Sequence, residues 1–493
     1  MNRVKIRGMC MKHLIVGIAA LFLAGCASYR PHVQGVAGTS PAAAVPWTPP
    51  PAESRALKLP EDAVPAAELS ARWRRLSLAE AVDIALQNNP DTRMAWANAR
   101  AAAAGFGAAR SSWLPSLKLD GDLGRGRQES DPARASDYPA TTTYSGAAGL
   151  SWLLFDFGGR AAAIDASRQA LLAADWTHNA VLQNVVLQTE AAYYGCAGAR
   201  AMLDASQASL ASAEIALKAA EEKRSVGLAT SADVLQARTA WSQALLDVQN
   251  AEGDLRISRG SLALAMGYPA YSAGDLAATI PEVPADTLVQ QVDQLVTKAL
   301  ADRPDLQAVR ARARAAQANV RQARASLLPT ISAAASAERL WYYDADQQTT
   351  VYNGGLQIAM PLFGGFSRQY QLARAKAEAD AAGEQVRGAE QDASFQVYSS
   401  HSDFLTARAR VATTDDLLAS AQQSEQVALG RYKEGVGTIL DLLTAQRALT
   451  LARAQQINAR LSWHIALAQL AHDIGILGVS GENPLIPGST QSR

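Results

Sequence analysis

Asn89-Pro90-Asp91, followed by Trp113-Leu114-Pro115, returns later in the chain as Arg303-Pro304-Asp305 followed by Leu327-Leu328-Pro329, both displaced by 214 positions. Further on, Leu154-Phe155 returns as Leu362-Phe363, with a glycine pair close by in each case (Gly158-Gly159, Gly364-Gly365). Gly227, Asp233, Leu235 and Ala237 return as Gly435, Asp441, Leu443 and Ala445, and here the offset has fallen to 208. One plan is written twice. A period this long far exceeds the ~20–50 residues of solenoid repeats, so each copy is a large supersecondary assembly.

Within each copy the hydrophobic period changes in the same order. Ser77 with Glu80 three residues later predicts a capping box opening a helix whose face carries Leu78, Val82, Ala85 and Leu86. A second helix opens at Pro90 and runs to Trp113, where Pro115 forbids continuation. The period then becomes two: Leu117, Leu119 and Leu123 alternate with Lys118, Asp120 and Asp122, and a return run ends in Leu150, Trp152 and Leu154. This reads as a β-hairpin over 116–156. A second is expected over 330–363, with Ile331, Ala333, Ala335 and Ala337 alternating and a return strand from Val351 to Leu362. Its connection is six residues shorter, which accounts for the fall in offset. Beyond each hairpin lie about 65 proline-free residues rich in good helix formers, predicting helices roughly 100 Å long. A glycine-containing turn and a returning helix of about 35–40 residues follow. Leu203, Leu210 and Leu217, and Trp241, Val248, Leu255 and Leu262, recur with coiled-coil spacing.

Composition narrows the function. Lys plus Arg and Asp plus Glu both number 46, which gives no electrostatic case for a nucleic-acid partner. The six histidines (13, 32, 178, 401, 464 and 472) are scattered and form no HExxH or Cys/His cluster, so no metal is expected. No Gly-x-Ser-x-Gly elbow, P-loop or dinucleotide fingerprint is present, so the chain does not read as an enzyme. Of the three cysteines, only Cys196 lies in the body; Cys10 and Cys26 lie at the N-terminus.

Residues 1–25 read as a signal peptide: Lys12 precedes an apolar run from Leu14 to Leu23, and Met11 is a plausible alternative start. Leu23-Ala24-Gly25-Cys26 resembles a bacterial lipobox, which implies diacylglycerol and an N-acyl chain (palmitate class) on Cys26. Ala27 then favours the outer membrane. Residues 26–75 form a Pro-rich arm and 271–287 a linker between repeats at 76–270 and 288–476; 477–493 is a tail. No later segment has about 20 consecutive apolar residues. If the mature chain crosses a bilayer, it does so with strands. Two hairpins supply four, a sheet with open edges that lipid does not tolerate. Three copies would give twelve, wide enough for an aqueous lumen. The expected fold class is therefore an α+β membrane protein: an internally duplicated helix/β-hairpin/long-helix/helix unit whose strands close by trimerising.

The set of matching segments resembles the TolC-like outer-membrane efflux family, and the lipobox its lipoprotein (NodT-type) branch. The resemblance rests on the two Pro-Asp repeats, on Ser151-Trp152-Leu153-Leu154-Phe155 and Met360-Pro361-Leu362-Phe363-Gly364-Gly365, and on the tips around 226–233 and 434–441. It implies a trimeric 12-stranded outer-membrane β-barrel continuous with a long α-helical periplasmic barrel, a passive duct in the outer membrane of a Gram-negative bacterium, lipid-anchored, with a large periplasmic part. The implied partners are two sister copies, a periplasmic adaptor and an inner-membrane pump that supplies the energy. It also implies a gate. Asp233 and Tyr432 occupy the positions of an inter-helix carboxylate–phenol link, and Asp441 a ring position where three carboxylates would raise one another's pKa. Gly437 and Thr444 stand where a gate arginine and a second Asp ring can be. The tips Val226-Gly227-Leu228 and Gly435-Val436-Gly437 are implied adaptor contacts.

Residue chemistry leaves alternatives open. Asp233 and Asp441 also fit helix N-terminal capping, and the tip glycines fit tight turns. The same duct could serve type I protein secretion. A periplasmic adaptor or a structural coiled-coil lipoprotein fits less well, because neither needs two bilayer-length hairpins.

Overall fold

The structure, a computed structural model, describes residues 40, 44–47, 73–126, 141–277, 279–283, 291–343 and 348–477. The signal segment, Cys26, most of the Pro-rich arm and the tail beyond Leu477 lie outside the described residues.

The first unit begins as its residues dictate. The Ser77 hydroxyl accepts from the Glu80 N–H, and the Glu80 carboxylate accepts from the Ser77 N–H at 2.9 Å, closing the box that starts α1 (Leu78–Asn88). Asn89 caps α2 (Pro90–Arg110) by accepting from the Asp91 N–H at 2.8 Å, with Pro90 at the first helical position where no N–H is required. A 3₁₀ turn, Ser111–Trp113, ends it ahead of Pro115. Then come β1 (Ser116–Gly126), β2 (Thr141–Phe155), α3 (Gly159–Ser225) and α4 (Ser231–Ala265). The second unit repeats the order: α5 (Val292–Asp302), α6 (Pro304–Ala325), β3 (Thr330–Tyr342), β4 (Gln348–Ala359), α7 (Ser367–Lys433) and α8 (Ile439–Ile474). The two long helices have 67 residues each, about 100 Å of helix. The second return strand spans 348–359 and not 351–362 as expected; Pro361 has no N–H to give a ladder, so pairing stops at Ala359.

The four strands form one antiparallel sheet in the order β1-β2-β3-β4. Each unit contributes one hairpin, and the β2–β3 ladder joins them. Register assigns the faces. Leu117 pairs with Leu150, which pairs with Ala335; Trp152 pairs with Ala333, which pairs with Leu356. One face is therefore apolar over the half nearer the helices and carries Arg125, Thr142, Arg339, Thr350 and Gln348 only toward its far end, and the other carries Lys118, Asp120, Asp122, Ser336, Asn353 and Gln357. The apolar face is uncovered: Leu117, Leu119, Leu123, Leu356 and Ile358 are all exposed.

The helices close a core at each unit's waist. In the first, Trp73, α1 and residues Leu182–Leu203 of α3 pack with Val248–Met266 of α4. In the second, Leu295 and Ala299 of α5 pack with Val397, Phe404 and Val411 of α7 and with Trp463 and Leu467 of α8. Farther out the buried positions are mostly alanine (Ala213, Ala216, Ala220, Ala237, Ala244), so the wall thins to a pair of closely spaced helices. The helix α3 packs on α2, α4, α6 and α8, whereas α7 packs on α5, α6 and α8 of its own unit.

Candidate functional site

Two regions of the body carry features that packing alone does not need. The first is the sheet. Aromatic side chains gather at both its ends: Tyr144 stacks on Trp341 at 5.5 Å near one, while Trp113, Trp152, Phe155, Phe157, Phe363 and Phe366 crowd the other. The second band is held by an arginine that sequence reasoning missed. Arg160, buried, donates to the carbonyls of Ser112 at 3.2 Å and Leu154 at 3.0 Å and lies 4.4 Å from the Trp113 ring. It ties strand, preceding helix and long helix together. The strand-to-helix turns need two successive left-handed residues, and each repeat supplies one phenylalanine and one glycine in opposite order: Phe157-Gly158 and Gly365-Phe366. Paired exposed aromatics flanking a one-sided apolar sheet are the signature of a membrane-spanning strand set.

The second region is the pair of helical tips. At the first, Gly227 adopts φ +79°, its N–H donates to the Arg224 carbonyl, and the Leu228 N–H donates to the Lys223 carbonyl. The chain reverses in this way without a Cβ in a left-handed site. Gly435 does the same at φ +78° in the second tip. Val226, Leu228 and Val436 project into solvent as small apolar knobs, joined by Leu440, which sequence reasoning did not single out. Gly437 is crowded: a Cβ there would lie 3.1 Å from the Arg431 Cβ and 3.3 Å from the Tyr432 nitrogen, so a longer residue would force the turn to shift. Thr444 lines a groove of about 520 Å³ between α4 and α8, floored by Ser209 and Ala213 of α3, with Gln243, Asp247 and Arg447 on its walls.

The acidic residues of the tips are engaged locally. The Asp233 carboxylate accepts from the Thr230 N–H at 2.8 Å and from its hydroxyl at 2.9 Å, a complete capping box for α4. Asp441 forms the same box with Thr438 at the start of α8. Capping hydrogen bonds from Thr438 hold the exposed Asp441 carboxyl below its ordinary range, with the Arg431 charge helping. Tyr432 is buried, its hydroxyl has no hydrogen-bond partner, and burial followed by the nearby Asp233 charge pushes its pKa up. The carboxylate–phenol link expected between Asp233 and Tyr432 is thus not made in a single copy; the two groups feel each other's field, but the Thr230 cap has the carboxylate. Tyr432 is instead wedged by its ring among Ala216, Ala220, Ala237, Ile439 and Leu442. Cys26 lies outside the described residues. Among the described residues no group of three His, Cys, Asp or Glu side chains is placed to hold a metal.

A doubled long-helix scaffold with an amphipathic sheet at one end and paired tips at the other defines a class of channel proteins. The chain belongs to the outer membrane efflux protein family, whose model matches residues 81–268 and 295–475, one stretch in each repeat. It is similar to Protein CyaE of Bordetella pertussis, at 29% identity over 83% of this chain and 86% of that protein. It is likewise similar to the antibiotic efflux pump outer membrane protein ArpC of Pseudomonas putida, at 28% identity over 91% of this chain and 92% of that one. Among solved structures, a membrane protein from Pseudomonas aeruginosa superposes with a TM-score of 0.73 at 25% identity, over 81% and 93% of the two chains. The expected family is therefore the family found. Its members are channels and not enzymes.

Proposed function

We propose that three copies of this chain close into a duct through the outer membrane of a Gram-negative bacterium, and that the duct passively conducts small molecules, antibiotics among them. The observation that carries this reading is the open sheet: β1 and β4 are unpaired edges beside an exposed apolar face, which is tolerable only when another copy's strand pairs with each edge and lipid covers the face. Dimensions agree. Tyr144 and Phe155 stand eleven positions apart, about 37 Å along the strand, and at a tilt of about 40° that is close to the ~25 Å apolar band of such barrels.

The helices support the same closure. The first unit packs its long helix onto the second unit through α6 and α8, and an equivalent second-to-first packing, α7 onto α2 and α4, can be made only with another copy. The α7 positions that would enter it, Tyr370, Tyr398 and Leu405, are exposed, while the α3 positions 208 residues earlier, Ala162, Glu190 and Ala197, are buried. In this reading diacylglycerol and an N-acyl chain on Cys26 anchor the arm in the membrane. Val226, Gly227, Leu228, Gly435, Val436 and Gly437 meet a periplasmic adaptor, which couples the duct to an inner-membrane pump. Asp233, Tyr432 and Asp441 belong to the periplasmic gate, where mutual repulsion in a ring of three Asp441 opposes the lowering that Thr438 produces.

The test is deletion of the gene, with and without its neighbouring pump genes, scored for drug accumulation and for loss of a secreted protein. Efflux predicts raised accumulation restored by the wild-type gene. Unchanged accumulation with loss of a secreted protein would replace efflux by protein export.

A further inference from the structure

The two tips of one chain come from different repeats, and one side chain crosses between them. Lys223, in the last turn of α3, donates from its ammonium to the main-chain carbonyl of Tyr432 in the last turn of α7, and the same ammonium stands 4.3 Å from the centroid of the Tyr432 ring. Both contacts follow from the chemistry of the place. The Tyr432 carbonyl accepts the Gly435 N–H at 3.2 Å and keeps a second lone pair for the ammonium, the end of α7 is the negative end of its dipole, and an aromatic face attracts a cation. The other groups that could bridge the tips do not: Asp233 caps its own helix through Thr230, and the buried Tyr432 hydroxyl makes no hydrogen bond.

The duplication shows that this contact is particular to one side. The residue equivalent to Lys223 in the second repeat is Arg431, whose guanidinium turns back to the Val436 carbonyl of its own tip at 3.5 Å. The residue equivalent to Tyr432 in the first repeat is Arg224, which offers a cation no ring. The crossing contact, ring included, therefore forms inside each chain, and the corresponding place between the second tip of one copy and the first tip of the next lacks the ring.

We propose that Lys223 is the lock residue of the periplasmic tips: it fastens the second tip to the first through the Tyr432 carbonyl and ring, and releasing it widens the closed end of the duct. This rests on the duct reading above, and it assigns the fastening to a residue outside the gate set of Asp233, Tyr432 and Asp441. The full-length protein in planar bilayers tests it. Lys223→Met keeps an unbranched side chain one atom shorter and removes the charge, and it raises the occupancy of the conducting state about five-fold, the ratio expected from losing one cation–π contact of ordinary strength. Lys223→Arg retains wild-type closure. Tyr432→Leu opens the duct as Lys223→Met does, and the double variant is no more open than the more open single, because both remove one contact. Conductance of Lys223→Met equal to wild type, or fully additive effects in the double variant, overturns the proposal. Spin labels at the exposed positions 226 and 436 of one chain, diluted into unlabelled copies, read the lock without conduction: the distance between tips broadens in Lys223→Met and is unchanged in Lys223→Arg. If neither the wild type nor Lys223→Met conducts, the duct reading falls, and the label distances still decide the lock.

Discussion

Asp175 is fully buried on α3, and neither of its carboxylate oxygens has a hydrogen-bond partner. Burial alone pushes its pKa from 3.8 up to about 8, so the folded protein holds it as a neutral acid at periplasmic pH. Glu190, about four turns on and also buried, is pushed up to about 7 for the same reason. The sign follows. Between the unfolded and folded pKa values the folded state binds a proton that the unfolded state has released, so stability falls as pH rises from about 4 to about 8, by at most about 1.4 kcal/mol per unit for Asp175. Melting of the purified protein should come at a lower temperature at pH 8 than at pH 5, and Asp175→Asn should flatten that slope. A wild-type melting temperature independent of pH over this range would contradict the buried neutral acid. Sequence reasoning had no hold on this residue: the equivalent position in the second repeat is Gly383, and a single Asp in an Ala-rich helix reads as solvated.

Elements were more legible because their signals are local. Proline sets where α2, α6 and β4 begin or stop, and the change of apolar period from helical to two marks each hairpin. The capping pattern Ser77-x-x-Glu80 recurs in function as Thr230-x-x-Asp233 and Thr438-x-x-Asp441, and all three boxes are formed. For the latter two, the capping alternative raised from sequence is what a single copy displays. Thr438→Ala removes the hydroxyl that the Asp441 N–H donates to, and it should cost about 1 kcal/mol of local stability at the start of α8. Faster amide hydrogen exchange at residues 439–441, with the waist unchanged, would register it. Unaltered exchange there would show that the cap contributes nothing to the tip. Arg160 escaped notice for the opposite reason. Its three carbonyl partners, Ser112, Leu153 and Leu154, come from the 3₁₀ turn and β2, which no spacing in the sequence brings together.

At the scale of the molecule, each unit has a waist core, the first completed by Ala471 of α8, and α7 leaves one long face for a neighbour. On α7, Phe395 and Tyr398 are exposed, although Leu187, the α3 equivalent of Phe395, packs against the first waist core. Placing a carboxylate there should cost association and spare the fold. If three copies assemble as proposed, Phe395→Glu should therefore elute from size exclusion with light scattering as a single chain, with helical content retained, and the wild type as three. A variant still trimeric would remove this face from the subunit interface.

The order of letters by itself determined the doubling, the length of each helix and strand, the apolar face of the sheet and the impossibility of leaving four strands alone in lipid. These depend on backbone stereochemistry and on the period of side chains along one segment, which neighbours in sequence specify. Only the tertiary structure decided that Asp175 is dry, that Arg160 binds three carbonyls, that Asp233 is held by Thr230 and that Lys223 reaches Tyr432. Each of these depends on which distant surfaces meet, because desolvation and ring contact are set by packing between helices whose residues lie up to about two hundred positions apart.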